Sequence, residues 1–210
     1  GYLNSTAVFQ NAMEAAFRQM SPEFLIIYVD DLIIHSKNLV EHMEHLKKVF
    51  EKLAQLNLRI KISKCNFATN TVEYLGHQIT PNGIKPKKRN LEKLDQMQPN
   101  NSKSTRTFLG MASWYRRFIP QFATRMEPCY RLISQNWHAE THGSISKEVL
   151  DALNYAKESL KTASLAHIDY KKELTLTTDA STVGLGATLE QDGRPLAFAS
   201  RRLTESEKNY

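Results

Sequence analysis

Two adjacent carboxylates, Asp30 and Asp31, interrupt the apolar stretch 24–34 (FLIIYVDDLII). Phe24-Leu25-Ile26-Ile27 precedes them and Leu32-Ile33-Ile34 follows. Residues this apolar and β-branched favour strands. Two like charges cannot be buried among them without compensation. The chain must therefore turn at the acids and keep them near water, as a strand–turn–strand. Hairpin turns favour Asn-Gly or Asp-Gly, because Gly supplies the positive φ. Asp31-Leu32 lacks that Gly, so turn chemistry alone explains the pair poorly. Hard divalent cations take carboxylate oxygen and would offset both charges. On the residues alone, an acidic hairpin tip and a metal site both remain open.

Around this hairpin the spacing predicts a mixed α+β chain. Residues 7–20 carry apolar positions at helical steps, and Ser21-Pro22 stops them. Val40, Met43, Leu46, Val49, Phe50, Leu53 and Leu56 recur at three and four residues, which predicts an amphipathic helix over 40–56. Leu58–Ile62 and Thr71–Thr80 are expected strands, and Pro81-Asn82-Gly83 a turn. Helices are expected over 87–97, 103–117 and 121–134, and over 147–162 with Ser146 as its cap. Strands are expected over 173–179, 184–190 and 194–200.

Charge divides the chain. It nets +6 overall, but residues 85–131 hold eleven Lys or Arg against three acids, a local excess of eight. Such a segment suits an anionic partner. Cys65 and Cys129 form no CxxC pair, which favours a reducing compartment. No apolar run reaches membrane-spanning length, and no membrane partner is expected. The start at Gly1 without Met and the end at Tyr210 in a helix-like run are expected of a piece of a longer polypeptide.

Five ordered blocks then carry a resemblance: Leu3-Asn4 through Phe9-Gln10, Tyr28-Val29-Asp30-Asp31, Ser63-Lys64-Cys65, Tyr74-Leu75-Gly76-His77 and Phe108-Leu109-Gly110. With Thr178-Asp179-Ala180-Ser181 after them, they resemble the reverse transcriptase and ribonuclease H region of gypsy-like long-terminal-repeat retrotransposon Pol polyproteins. The resemblance implies two-metal nucleotidyl transfer with Mg²⁺ (or Mn²⁺), and Asp30 and Asp31 as catalytic ligands. It implies a further Asp upstream of residue 1, so this piece alone is expected to show little or no polymerase activity. Phe9 and Gln10 would border the nucleotide; otherwise Phe9 is core and Gln10 a solvated helix residue. Asn4-Ser5-Thr6-Ala7 departs from the Asn-Ala-Pro common in relatives. Lys64 would protonate leaving pyrophosphate, or is a surface Lys.

Tyr74, Leu75, Gly76 and His77 resemble the primer grip, with Gly76 allowing close approach of backbone to primer. Arg106, Gly110 and Trp114 fall at i, i+4 and i+8 on one helix face. The resemblance makes that face a thumb helix in a duplex minor groove, with Arg116 and Arg117 extending charge to phosphates. Asp179 would be the first metal-binding acid of a ribonuclease H-like sheet; the bland alternative is a turn Asp. His138 and His142 do not make an HExxH motif, and a zinc site there is disfavoured. His42 and His45 are expected to be solvated.

The implied architecture is a partial palm over 1–84, thumb or connection helices over 85–160 and a truncated ribonuclease H-like domain over 161–210. The implied partners are an RNA or DNA template with primer, deoxynucleoside triphosphates and the rest of the Pol polyprotein. The implied location is cytoplasmic retroelement particles or the nucleus. A rival class is a non-catalytic nucleic-acid-binding remnant of a decayed retroelement. A helical interaction module would explain the helices but not the acids.

Overall fold

Side-chain caps decide where the main helices begin. In the computed structural model, which describes residues 2–137 and 143–209, Asn38 Oδ1 accepts from the Glu41 N–H at 2.9 Å, and Glu41 Oε2 accepts from the Lys37 N–H at 3.0 Å. This closes two orphan donors at the start of a helix. Asn101 and Ser104 form a reciprocal capping box at another, and Ser146 Oγ accepts from the Val149 N–H at a third. The chain divides into two compact units, one ending at Thr69 and one starting at Asn70.

The first unit contains α1 (Ser5–Ala16), β1 (Leu25–Tyr28), β2 (Asp31–Ile34) and α2 (Leu39–Gln55). β1 and β2 pair antiparallel, with Leu25 opposite Ile34 and Tyr28 opposite Asp31. Leu25 and Ile27 enter the core while Ile26 and Tyr28 face out, the period-two pattern of a half-buried strand. They pack with Met13, Phe17, Phe24, Val49 and Leu53. Three expectations need correction here. Of the α2 stripe only Val49 and Leu53 are buried, while Val40, Met43, Phe50 and Leu56 are exposed. Leu58–Ile62 forms no strand, because no described strand pairs with it; a 3₁₀ turn follows at Ile62–Lys64. His42 and His45 are half-buried, both within hydrogen-bond reach of Ser36 Oγ (3.2 and 2.7 Å), and His45 stacks on Phe24 at 3.9 Å.

The second unit starts with an antiparallel meander, β3 (Val72–Tyr74), β4 (His77–Thr80) and β5 (Gly83–Pro86). The expected single strand over 71–80 is thus two strands that turn at Leu75-Gly76. Helices α3 (Lys88–Gln96), α4 (Ser102–Trp114), α5 (Phe122–Arg125), α6 (Glu127–Ser134) and α7 (Lys147–Lys161) follow. The helix expected over 121–134 is split, with Pro128 in the first turn of α6, where its missing N–H costs nothing. Phe108, Leu109, Ala112, Tyr115, Phe118, Ile119 and Met126 are the centre of the core, closed by Val149, Leu153, Ala156 and Leu160 of α7.

A second antiparallel meander ends the chain: β6 (Thr175–Ala180), β7 (Gly184–Gln191) and β8 (Arg194–Arg202). Asp192 (φ +53°) and Gly193 (φ +69°) make the β7–β8 turn, as the sequence of that hairpin requires. Between α7 and β6, Leu165 exchanges two backbone hydrogen bonds with Ile84 on β5 (2.8 and 2.9 Å). A Cβ on Gly83 would stand 2.2 Å from the Leu165 carbonyl oxygen, so only Gly fits there. His138 and His142 lie outside the described residues.

Candidate active site and nucleic-acid interface

Asp30 and Asp31 are exposed at the tip of the β1–β2 hairpin. The tip is strained. Val29 has φ +51°, a rare conformation for a β-branched residue. Gln10 holds it. Its Oε1 accepts from the Val29 N–H at 2.6 Å, and its Nε2 donates to the Ile27 carbonyl at 3.2 Å. The same Nε2 reaches Glu14 Oε1 at 2.6 Å, one helical turn on. Gln10 is therefore neither a solvated helix residue nor an idle one. It ties α1 to the turn that presents the acids. The sequence carried a signal for this anchor: a turn without Gly has to be held by something else.

Phe9 is 38% exposed and so is not core. Lys64 is exposed at the end of the 3₁₀ turn.

On α4, Arg106, Gly110 and Trp114 share an exposed face. Nothing stands within 4 Å of a Cβ built on Gly110. Trp114 is 57% exposed, while Phe108, Leu109, Ala112 and Tyr115 fill the core from the opposite face. The core thus closes without the indole.

The Tyr74–His77 turn docks on this helix. Leu75 (φ +47°) and Gly76 (φ +78°) both take the left-handed conformation of a tight hairpin turn. Trp114 Nε1 donates to the Leu75 carbonyl at 3.3 Å, and the Tyr115 hydroxyl donates to the Gly76 carbonyl at 2.8 Å. Asn90 donates to the Tyr115 oxygen at 2.7 Å. A Cβ on Gly76 would stand 3.0 Å from the Tyr115 hydroxyl and 3.2 Å from Trp114 Nε1. The space beside Gly76 is taken by the side chains of Asn90, Trp114 and Tyr115, so the missing Cβ lets the turn pack closely on the helices.

The His77 ring also faces inward. It packs on Phe118 (5.5 Å) and edge-on to Tyr115 (5.6 Å). Its buried Nε2 has no hydrogen-bond partner. Burial lowers its pKa, and the nearby Arg117 charge lowers it further against two backbone hydrogen bonds that raise it. Arg116 donates to the Ser200 carbonyl of β8, so its guanidinium serves the fold as well as the surface. Arg117 is exposed and lies over the Phe118 ring at 5.9 Å.

Asp179 is exposed on β6, opposite Gly186 of β7. Gln121 Nε2 donates to its Oδ2 at 3.2 Å, a partner no local pattern predicts.

Carboxylate oxygens are the donors a hard divalent cation takes, and all three acids are exposed, so the donor chemistry fits Mg²⁺. Among the described residues, no three or more His, Cys, Asp or Glu side chains converge. Asp30 with Asp31, and Asp179, each fit as part of a coordination shell.

Residues 1–79 match the family model for reverse transcriptase (RNA-dependent DNA polymerase), and residues 146–210 match that for the RNase H-like domain found in reverse transcriptase. The second match begins upstream of the expected start at 161. The chain is 35% identical over 212 residues to the retrovirus-related Pol polyprotein from transposon 297 of Drosophila melanogaster, and 34% over 220 to that from transposon gypsy. It is 31% identical over 217 residues to the transposon Tf2-3 polyprotein of Schizosaccharomyces pombe. Each alignment takes in 100% of this chain and 20%, 21% and 16% of the relative, so the chain spans about a fifth of their length. Among solved structures, a foamy viral protease–reverse transcriptase in complex with double-stranded DNA matches 99% of this chain and 37% of its own, with TM-score 0.83 and 26% identity. The foamy viral enzyme with an RNA/DNA hybrid matches 99% of this chain and 28% of its own, with TM-score 0.79 and 26% identity. Relatives along its whole length, two family models at its two ends and these folds together mean that the chain belongs to the reverse transcriptase and ribonuclease H region of gypsy-like long-terminal-repeat retrotransposon Pol polyproteins.

Proposed function

We propose that this chain works within a Pol polyprotein that copies an RNA or DNA template from a primer, using deoxynucleoside triphosphates, and cleaves the RNA of hybrids. The row Arg106, Gly110 and Trp114 carries the nucleic-acid half of this reading. It combines a cation, a gap and a flat aromatic on one exposed face, and the core is complete without it. Such a face can follow a duplex whatever its sequence, because it touches backbone and groove rather than reading base edges. Trp114 and Tyr115 also fix the Tyr74–His77 turn, so the turn and the helix would meet the duplex together.

The polymerase half rests on the strained, Gln10-anchored tip. Fixing the turn limits where Asp30 and Asp31 can point, and exposure leaves their oxygens reachable. Mg²⁺ or Mn²⁺ held there would activate a primer 3′-hydroxyl and offset charge on the leaving pyrophosphate. Lys64 is the proposed proton donor to that group, and Phe9 a neighbour of the nucleotide.

Binding of a fluorescent primer–template duplex tests the first half. Arg106→Ala should lower the slope of log affinity against log salt by about one. Trp114→Ala should weaken binding by about 1 kcal/mol or more and leave the fold intact. Equal affinities in all three proteins would refute the interface. For the second half, single-nucleotide addition by the Pol polyprotein containing this chain should require Asp30 and be lost in Asp30→Asn. Duplex binding without extension in that polyprotein would instead favour the non-catalytic remnant.

A further inference from the structure

Gln121 has a backbone conformation its residue type disfavours. Its φ is +50°, where Gly or Asn is more at ease. It stands as the N-cap of α5, yet its side chain caps nothing. The amide instead donates to Asp179 Oδ2, 58 residues away in sequence. β7 leaves the path open. Gly186 lies opposite Asp179, and a Cβ on Gly186 would stand 3.8 Å from Gln121 Cγ. The glutamine thus runs over the glycine to reach the next strand.

The peptide around Gln121 is fixed from several sides. The Pro120 carbonyl accepts from the Tyr155 hydroxyl at 3.2 Å, and the Ala123 N–H donates to Ser200 Oγ at 3.0 Å. Ile119 and Phe122 are buried on either side. Packing therefore holds the left-handed backbone, and that backbone aims the side chain. We propose that Gln121 is a positioning residue for the Asp179 carboxylate, supplied by the helical segment to the RNase H-like sheet. A neutral amide suits this task. It fixes one oxygen without cancelling the negative charge, as Lys or Arg would. The inference rests on the reading of Asp179 as the acid of that sheet, and gives that acid an outer partner of the kind that orients ligands in metal sites.

The test uses the isotope-labelled 210-residue chain in two measurements. Three-bond couplings from backbone N and C′ to Asp179 Cγ report its χ1 rotamer. Wild type should show one rotamer. Gln121→Met keeps the length without the donor, and Gln121→Gly suits φ +50° but removes the side chain; both should show averaged couplings. Gln121→Gly should at least keep the thermal midpoint, which separates positioning from folding. A single rotamer persisting in both variants overturns the proposal. Mn²⁺ alone is then titrated against broadening of the Asp179 and Ala180 amides. The wild-type midpoint should rise about threefold or more in Gln121→Met, below the ~10–100-fold typical of complete sites. An unchanged midpoint also counts against positioning. Wild-type broadening that is absent, or that survives in Asp179→Asn, overturns the underlying reading of Asp179 itself.

Discussion

Removing the Gln10 side chain should loosen the acid-bearing turn far more than it harms the helix that carries it. In Gln10→Ala, the Val29 N–H loses a 2.6 Å acceptor and the Ile27 carbonyl a 3.2 Å donor. Each part-buried hydrogen bond is worth about 1 kcal/mol net, or about 2 kcal/mol for the pair. The exposed contact to Glu14 adds a few tenths at most. Ala is the better helix former by roughly 0.4 kcal/mol, which offsets part of the loss. The strain at Val29, about 1–2 kcal/mol, remains without its restraint. The net local loss is about 1.5–2 kcal/mol, which should speed exchange of the Val29 amide roughly 10–30-fold. Native-state hydrogen exchange by NMR reads this amide directly. The Ile26 amide of β1, paired opposite Ile33, and the core amides at Val49 and Leu53 are the internal controls. If the Val29 amide exchanges within threefold of wild type, Gln10 does not hold the turn. If every amide of the unit accelerates equally, Gln10 supports the whole fold and not the tip.

Gly83→Ala should destabilise the second unit by about 2 kcal/mol or more and unprotect the Ile84 and Leu165 amides, because its Cβ would meet the Leu165 carbonyl at 2.2 Å. Gly110→Ala is the matched control: its site is open, so thermal unfolding should show a gain of up to about 1 kcal/mol. Protonating His77 is harder in the folded protein than in the unfolded chain, so below its ordinary value of 6.5 the unfolded state binds more protons and stability falls with pH. Urea midpoints of His77→Phe should lose that acid-side decline below about pH 6.5, and an identical decline in both proteins would contradict it. Burial pushes the Cys129 thiol up to about 12, so an aromatic disulfide reagent should titrate only Cys65 in the folded chain and both thiols in denaturant.

The sequence by itself determined the elements and the family. The apolar run that stops at the acids, the turn those acids force, the Ser146 cap, the Asp192-Gly193 turn and the Arg106–Gly110–Trp114 row are all local patterns. Each follows from periodicity, capping or turn chemistry, and the structure keeps each of them. It did not determine which partners those elements would find. The 58–62 segment has strand-like residues but no described strand beside it, and Val40, Met43, Phe50 and Leu56 of the α2 stripe stay exposed among the described residues. Gly76 shows the difference most clearly. Its positive φ is legible from a turn in the sequence, but that its space goes to Tyr115 and Trp114 is decided 39 residues away. Gln10 to Val29 and Gln121 to Asp179 are of the same kind. A glutamine has no preferred long-range partner until packing sets a strained backbone group or a carboxylate within reach of its amide. Tertiary structure thus decided how the acids are held, because hydrogen bonds across 19 and 58 residues leave no periodic trace in the chain.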